Sequence, residues 1–142
     1  MTGDRMQLPS ASVTIQIPFY DVDLMAVAWH GHYVKYFEIA RGALLDKVNY
    51  NYREMKESGY SWPVIDLRIR YAKPAHFGQE VEVVASLAEY DLRLKIDYLI
   101  RDAVSGTRLT KGHTIQVAVD QRTGEMLLGS PPVLYEKLGL EA

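Results

Sequence analysis

The sequence predicts an α+β fold in which a twisted, five-stranded antiparallel sheet wraps around one long central helix. One alternating strand pattern comes first, a helical repeat follows, and four further strand patterns with short breaks complete the 142-residue chain. A helix of about 17 residues is roughly 25 Å long, so the sheet has to curl around it to bury it. The length fits a single domain spanning residues 1–142.

The first strand and the helix are predicted from their apolar periods. The segment "SVTIQIPF" alternates Val13, Ile15, Ile17 and Phe19 with polar or small residues, as a half-buried strand does. Apolar side chains then recur at helical spacing from Tyr33 to about Asn49, at Tyr33, Phe37, Ala40, Leu44 and Val48. Residues 1–11 are expected to form a flexible N-terminus. Ala40, Gly42 and Ala43 thin the middle of the helix, which predicts close packing on the sheet.

The remaining elements follow in order. "REMKESG" predicts a short second helix closed by Gly59. Four strands are predicted in "WPVIDLRIRYAKP", "QEVEVVASLAEY", "LRLKIDYLIRD" and "TRLTKGHTIQVAVD", the last with His113, Ile115, Val117 and Val119 on one face. The breaks at 90–91 and 104–106 predict antiparallel hairpins. Residues 131–139 predict a short C-terminal helix opened by proline.

Composition narrows the class of protein. Hydrophobic residues make up 48% and charged residues 24% of the chain, which is typical of a globular protein. A net charge of −2 and a pI near 6.1 argue against non-specific nucleic-acid binding. The absence of cysteine removes disulfides and thiolate chemistry. No membrane span or signal peptide is recognised, so a cytoplasmic location is expected.

Most standard chemistries lack their motifs in this sequence. There is no glycine-rich phosphate loop, no nucleophile elbow, and no motif that predicts a cofactor. His30, His32 and Glu38 could bind a metal in principle, but residues i and i+2 of a helix point to different sides. We therefore predict no metal site. The carboxylates remain as candidate catalytic groups.

Two aspartates follow the first strand and precede the helix. Asp21 is interpreted as a helix cap or turn residue, for which aspartate is favoured. Asp23 precedes the apolar segment "LMAVAW", and a carboxylate against an apolar wall can act as a base or nucleophile. The nearby helix start offers backbone N–H groups that can hold an oxyanion. Together they are a minimal set for hydrolysing an activated acyl group.

These residues resemble a known family, the hotdog-fold acyl-CoA thioesterases of the 4-hydroxybenzoyl-CoA thioesterase and YbgC type. The matching residues are Tyr20-Asp21-x-Asp23, Val27-x-Trp29-His30, Tyr33 and Tyr36-Phe37-Glu38-x-Ala40-Arg41. "IRYAKPAHFGQEVEV" and "KGHTIQVAVDQRTGE" also look like strands of that family. The resemblance covers about residues 13–138, and the hotdog fold agrees with the order of elements derived above.

The resemblance implies a role for each matching residue. Asp23 is the catalytic carboxylate, which either attacks the thioester carbonyl or activates water. The backbone N–H groups of His30 and Gly31 polarise the carbonyl, and the His30 side chain either orients the reacting groups or caps the helix. Glu38 and Arg41 are expected to pair as scaffold.

The resemblance also implies the substrate. Acyl-CoA is cleaved to an acid and coenzyme A, with a fatty or aromatic acyl group lying against Trp29, Tyr33, Met25 and Tyr60. Arg93, Lys111 and Lys73 are the candidate cations for the coenzyme A phosphates. Leu24-Met25-Ala26 stand where the family usually has small residues, which leaves the acyl preference open.

A homo-oligomer, either a dimer or a dimer of dimers, is also expected. The alternatives are an acyl-carrier-protein thioesterase and a non-catalytic acyl-CoA-binding or regulatory module. A hotdog dehydratase is disfavoured, because its His-Phe-Pro type signature is absent.

Overall fold

The structure, a computed structural model, describes residues 8–140 and contains the predicted wrapped sheet. Five antiparallel strands curve around the long helix α1 (Tyr33–Lys47). The strands are β1 Ser10–Gln16, β3 Val64–Tyr71, β4 Glu80–Glu89, β5 Leu94–Asp102 and β6 Arg108–Gln116. Their order in the sheet is β1-β4-β5-β6-β3. The α+β fold class is therefore confirmed.

Three helices and a small second sheet complete the described residues. Helix α1 is Tyr33–Lys47, α2 is Tyr52–Glu57 and α3 is Pro132–Leu138. Strands β2 (Tyr60–Ser61) and β7 (Val119–Asp120) pair with each other, and the sequence patterns did not separate them from their longer neighbours. Between residues 8 and 140, no helix is long and apolar enough to span a membrane.

The predicted boundaries need one correction, at the N-terminus. Ser10 and Ala11 pair with Ser86 and Ala85 as the first rungs of the β1–β4 ladder, so they are not flexible. The prediction was wrong there because small residues give no alternation signal, although the backbone still forms the ladder. Residues 1–7 of the predicted N-terminus lie outside the described part of the chain.

Helix α1 lies very close to the sheet at one glycine. The ring of Phe37 stacks on Tyr98 of β5, with centroids 4.4 Å apart and an interplanar angle of 6°. A Cβ atom on Gly112 of β6 would lie 2.2 Å from the Arg68 carbonyl oxygen and 2.9 Å from the Phe37 ring. A residue without a side chain is therefore needed in the sheet for Phe37 to lie flat, in addition to the small residues predicted in the helix.

Strand β6 has a row of mostly polar residues on the face that packs against α1. Thr110, Gly112, Thr114 and Gln116 face the same side as the buried Ile100, Tyr98, Ile96 and Leu94 of β5. His113 and Ile115 consequently lie on the outer face of the sheet, away from α1. The polar row is tolerated because the aromatic rings of α1 and β5 fill the volume, and Tyr98 Oη and Thr114 Oγ1 bond to each other at 2.8 Å.

Strand β3 forms one edge of the sheet and is largely exposed. Val64, Ile65, Leu67 and Tyr71 are each between 40% and 57% exposed. An edge strand with unpaired backbone groups and apolar side chains is a surface that other chains can join. This edge also leads into the candidate site, because residues 72–74 follow directly on Tyr71.

Candidate active site

A tight hairpin between β1 and α1 carries the two aspartates. Val22 bridges Ala28 in antiparallel fashion, and the Asp23 N–H donates to the Val27 carbonyl at 3.0 Å. The Ala26 N–H closes the turn by donating to the Asp23 carbonyl at 2.9 Å. Ala26 adopts a left-handed conformation with φ of 60°, which is strained for a residue with a side chain. The hairpin is thus a defined structure rather than a loose connection.

The Asp23 carboxylate is exposed and held by the backbone of its own turn. Its Oδ1 atom accepts hydrogen bonds from the Met25 N–H at 2.8 Å and the Val27 N–H at 3.4 Å. Leu24 and Met25 turn their side chains outward, and both are at least 80% exposed. Of the predicted apolar wall "LMAVAW", Leu24 and Met25 therefore face away from the carboxylate in the single chain, whereas Val27, Ala28 and Trp29 line the same cleft as Asp23.

The start of the helix lies on the other side of the same site. His30, Gly31 and His32 form one 3₁₀ turn that runs directly into α1. Among residues 8–140 the His30 and Gly31 N–H groups have no acceptor, as is usual for the first donors of a helix. The Trp29 indole lies across Gly31, where an added Cβ would come within 2.1 Å of the ring. Two backbone donors are thus available beside an aromatic ring.

The carboxylate and the helix start line one cleft of about 310 Å³. The lining residues are Asp23, Val27, Ala28, Trp29, His30, Tyr33, Tyr71, Ala72, Lys73 and Pro74. Five of the candidate residues, Asp23, Trp29, His30, Tyr33 and Lys73, are therefore together. The cleft has a carboxylate, aromatic walls, a helix N-terminus and one cation.

Tyr71 was not predicted as a site residue. Its Oη donates to the His30 carbonyl at 2.9 Å, and its ring packs edge-on against Tyr33 at 5.0 Å between centroids. Tyr33 is 1% exposed, and its Oη accepts the Ala75 N–H at 3.1 Å. Tyr33 thus contributes to the core as well as to the cleft. Nothing in the sequence separates Tyr71 from the other nine tyrosines, because only the fold brings β3 to the helix start.

The other candidate residues lie elsewhere in the single chain. The Met25 side chain is exposed, and Tyr60 lines a separate cavity of about 620 Å³ next to α2. Arg93 Nε bonds to Glu89 Oε1 at 3.0 Å. Lys111 lies on the outer face of the sheet, in a groove of about 500 Å³. Met25 belongs to the Asp23 hairpin but turns its side chain outward, whereas Tyr60 lies in the β2–β7 sheet and Arg93 in the β4–β5 connection. These placements depend on tertiary contacts that sequence spacing does not show.

Asp21 is a buried ion-pair partner and does not cap a helix, which corrects the sequence interpretation. It is 1% exposed, and its carboxylate accepts hydrogen bonds from Lys35 Nζ at 2.7 and 2.8 Å and from Tyr36 Oη at 2.7 Å. Burial raises the pKa of the Asp21 carboxyl, but these hydrogen bonds outweigh burial and bring that pKa below its ordinary value. Burial and the bond to Asp21 raise the pKa of Tyr36.

Asp21 also joins the hairpin to the helix through its backbone. Its carbonyl accepts the Trp29 N–H at 3.0 Å, while its carboxylate holds the first turns of α1. The Asp23 turn and the helix start are therefore fixed relative to each other. The sequence could not show this, because the contact depends on which side of the hairpin faces α1.

The predicted pair between Glu38 and Arg41 does not form in the described part of the chain. No salt bridge joins them among residues 8–140, and both instead line the cavity beside Tyr60. Over the same residues no three histidine or acidic side chains converge as metal ligands.

The fold and the cleft define a class, the hotdog-fold proteins that present a carboxylate beside a helix N-terminus. Residues 17–138 match the family described as the thioesterase-like superfamily, and the chain belongs to that family.

Two similar proteins carry names that specify an activity. The chain is 30% identical over 77 residues to YneP of Bacillus subtilis, provisionally named an acyl-CoA thioesterase; the match covers 54% of this chain and 56% of YneP. It is 28% identical to the DHNA-CoA thioesterase structure from Staphylococcus aureus, with a TM-score of 0.76 and coverage of 84% and 80% of the two chains.

A third similarity supports the fold alone. Slr0204 of Synechocystis, a 1,4-dihydroxy-2-naphthoyl-CoA thioesterase, has a TM-score of 0.81 at 18% identity and covers 92% of this chain and 96% of its own.

Proposed function

We propose that the protein is a thioester hydrolase that cleaves a fatty or aromatic acyl-CoA to the free acid and coenzyme A. The observation that carries the proposal is the cleft in which Asp23 lies with the start of α1. The names of YneP and of the Staphylococcus aureus enzyme agree with this activity.

Asp23 is the proposed catalytic carboxylate. Oδ1 is fixed by two backbone N–H groups, whereas Oδ2 accepts no hydrogen bond within residues 8–140 and can reach a water molecule or the thioester carbon. A carboxylate with one oxygen fixed and the other available suits either general-base or nucleophilic chemistry. The water route yields the acid directly, and the nucleophilic route passes through a mixed anhydride that water then cleaves.

The start of α1 is the proposed oxyanion hole. The carbonyl oxygen of the thioester becomes negative as the tetrahedral intermediate forms, and the His30 and Gly31 N–H groups are the available donors. One such donor contributes about 3–4 kcal/mol in comparable acyl-transfer sites. The positive end of the helix dipole adds to the same effect.

The cleft also supplies the proposed contacts to the rest of the substrate. Trp29, Tyr33 and Tyr71 form aromatic walls for the acyl group or the pantetheine arm. Lys73 lies in the cleft and Lys111 on the outer face of the sheet, and both are proposed to meet coenzyme A phosphates. Arg93 is a weaker candidate, because Glu89 already occupies its guanidinium group.

A homodimer, or a dimer of dimers, is part of the proposal. The exposed apolar side chains of edge strand β3 support self-association there, and a second chain would also cover the open cleft beside Tyr71. Light scattering during size-exclusion chromatography measures the assembly. A mass of one chain at micromolar concentration would contradict this part.

A cytoplasmic location is proposed as well, since a cysteine-free chain suits a reducing compartment.

A thiol-release assay tests the function. Acyl-CoAs of several chain lengths, several aroyl-CoAs and the matching acyl-carrier-protein thioesters are supplied to the wild-type protein, to Asp23→Asn and to the surface control Glu57→Gln. Turnover of at least one acyl-CoA by wild type and control, but not by Asp23→Asn, is expected. Binding without turnover would indicate a binding module, and turnover of carrier-protein thioesters alone would indicate the other alternative.

A further inference from the structure

The His30 carbonyl accepts two hydrogen bonds, one more than a carbonyl in the body of a helix ordinarily accepts. The Tyr33 N–H donates to it within the 3₁₀ turn, and the Tyr71 hydroxyl donates to it at 2.9 Å. Both lone pairs of this oxygen are therefore in use. Since Tyr71 ends strand β3, the second bond joins the edge of the sheet to the start of α1.

The His30 carbonyl and the Gly31 N–H belong to the same amide group. The amide is delocalised, so a donor on its oxygen draws electrons from its nitrogen and makes the N–H a stronger hydrogen-bond donor. The Gly31 N–H is one of the two proposed oxyanion donors, and it has no acceptor among residues 8–140. The Tyr71 hydroxyl thus acts on a group that the proposed reaction uses.

The other proposed oxyanion donor lacks such a contact. The His30 N–H shares its amide with the Trp29 carbonyl, which accepts the His32 N–H at 2.9 Å. No side chain of the described residues donates to that carbonyl, whereas Tyr71 donates to its neighbour. The two amides therefore differ, and the Gly31 N–H is the more strongly polarised donor.

The Tyr71 hydroxyl is fixed by its own surroundings. The two residues after Tyr71 both donate their N–H groups to the Leu109 carbonyl, at 2.9 and 3.0 Å, so the end of β3 is anchored to β6. The Tyr71 ring packs edge-on against the rings of Tyr33 and His30, with centroids 5.0 and 6.3 Å apart. Partial burial raises the pKa of Tyr71, so the hydroxyl stays protonated and able to donate at neutral pH.

We propose that Tyr71 is a positioning residue for the oxyanion hole, whose hydroxyl orients the His30–Gly31 amide and polarises the Gly31 N–H. This inference rests on the proposed function, which supplies the oxyanion. Negative charge on the thioester oxygen develops only as the tetrahedral intermediate forms. A stronger donor therefore stabilises the transition state more than the bound substrate, and it raises kcat more than it changes KM.

A bond that only tied β3 to α1 would have different consequences. Its loss would loosen the whole 3₁₀ turn, so the amides of His30 and Gly31 would change together and substrate binding would weaken. Polarisation acts on one amide and leaves the substrate contacts of the cleft in place. The two roles therefore predict different measurements.

Amide NMR tests the polarisation without any turnover. The ¹⁵N-labelled proteins are wild type, Tyr71→Phe and the control Tyr52→Phe, whose side chain on α2 is 78% exposed. Phenylalanine keeps the ring, so only the hydroxyl is removed. In Tyr71→Phe the Gly31 ¹⁵N resonance should move upfield at least about twice as far as that of His30. Neither resonance should move in the control, and the rest of each spectrum shows that the variant is folded.

Kinetics connect the Tyr71 hydroxyl to catalysis. A cooperative gain of about 10–30% in a donor that changes kcat about 10²–10³-fold predicts that Tyr71→Phe lowers kcat about two- to eightfold. KM for the same acyl-CoA should change less than kcat, because the aromatic wall is retained. Tyr52→Phe should match wild type, and single-turnover rates show that the chemical step is the one affected.

Three results would overturn the role of Tyr71. They are equal movement of the His30 and Gly31 resonances, an unchanged kcat, and a higher KM without a lower kcat. The proposed function would remain in each case, because turnover by wild type is measured separately. Selective movement of the Gly31 resonance in a protein that hydrolyses no thioester would confirm the polarised amide and contradict the proposed function.

Discussion

The carboxylates of Asp21 and Asp23 lie two residues apart in the chain and face opposite environments. Asp21 is buried against α1, where Lys35 and Tyr36 bond to it. Asp23 is exposed in the cleft and accepts hydrogen bonds from the backbone of its own turn. Because the residue between them bridges Ala28, one aspartate holds the hairpin to the helix while the other remains available for chemistry.

Replacing Asp23 by asparagine is expected to abolish catalysis with little change in stability. Asparagine can still accept the Met25 N–H, and the side chain is exposed, so the free energy of unfolding should change by about 0.5 kcal/mol or less. The loss of a general base or nucleophile should lower kcat at least about 100-fold. Thiol release and urea denaturation measure the two quantities. Retention of full activity would remove Asp23 from the mechanism.

Single-turnover hydrolysis in ¹⁸O-labelled water distinguishes the two routes open to Asp23. Attack by the carboxylate forms an anhydride, and water that opens it at the aspartyl carbon leaves the label in Asp23. Activation of water by Asp23 puts the label only in the acid product. Mass spectrometry of the peptide containing Asp23 is the measurement. With enzyme in excess, a label in that peptide establishes the covalent route.

Replacing Asp21 by asparagine should destabilise the fold by about 2 kcal/mol at neutral pH, because the hydrogen bonds from Lys35 and Tyr36 to a charged carboxylate are weakened. The pKa of Asp21 is lowered in the folded state, so its stabilisation is fully present above the unfolded value near 3.9. It is lost as pH falls through the lower, folded value. The difference in free energy of unfolding between wild type and Asp21→Asn should therefore become smaller below about pH 4.

Urea denaturation at pH 7 and pH 3 tests the Asp21 prediction, with Glu57→Gln as the exposed control. If the free energy of unfolding differs between wild type and Asp21→Asn by the same amount at both pH values, the charge of the carboxylate does not contribute to stability. Glu57→Gln should match wild type at pH 7.

Gly112→Ala is expected to destabilise the protein by about 3 kcal/mol. The new methyl group would overlap the Arg68 carbonyl, which is backbone and cannot turn aside, as well as the Phe37 ring. Gly129→Ala is the matched control, because an added Cβ there has no neighbour closer than 3.6 Å. Similar unfolding midpoints for the two variants would contradict the close approach of the Arg68 carbonyl and of the Phe37 ring to Gly112.

Gly31→Ala should alter the cleft more than the stability. The added methyl group would displace the Trp29 indole, which is 51% exposed and can move outward. Tryptophan fluorescence should change and kcat/KM should fall, while the unfolding free energy should fall by about 1 kcal/mol or less. Trp29→Ala combined with Gly31→Ala should show no further loss beyond Trp29→Ala alone, because the clash is then absent.

The fold could be predicted because its evidence is local. Alternation in β4 and β5 and the helical repeat from Tyr33 each follow from burial of one face, so periodicity reveals them. The sequence also predicted Trp29, His30 and Tyr33, which line the cleft with Asp23, since they are close to it in the chain. Lys73 was the one distant residue predicted from the family resemblance that lies with them.

The remaining features depend on contacts between distant segments. Whether Asp21 or Asp23 faces α1 is decided by the side on which the hairpin packs, and spacing carries no such information. Tyr60 lies away from the cleft because it pairs with Asp120 in the small second sheet, and Arg93 because it lies in the β4–β5 connection, bonded to Glu89. The groove that contains Lys111 on the outer face of the sheet could not be predicted either, since Arg70 and Lys111 are neighbours only across two strands.

The left-handed backbone of Ala26 means that the turn carrying Asp23 takes its shape when the chain folds, before any substrate binds. A side-chain-bearing residue at φ of 60° is strained, by about 1 kcal/mol, and has fewer unfolded conformations than glycine would have. The conformational free energy needed to form the turn is therefore part of the folding free energy and is not required again when substrate binds. In the mechanism proposed above, the entropy of placing the Asp23 carboxylate therefore does not add to the activation barrier.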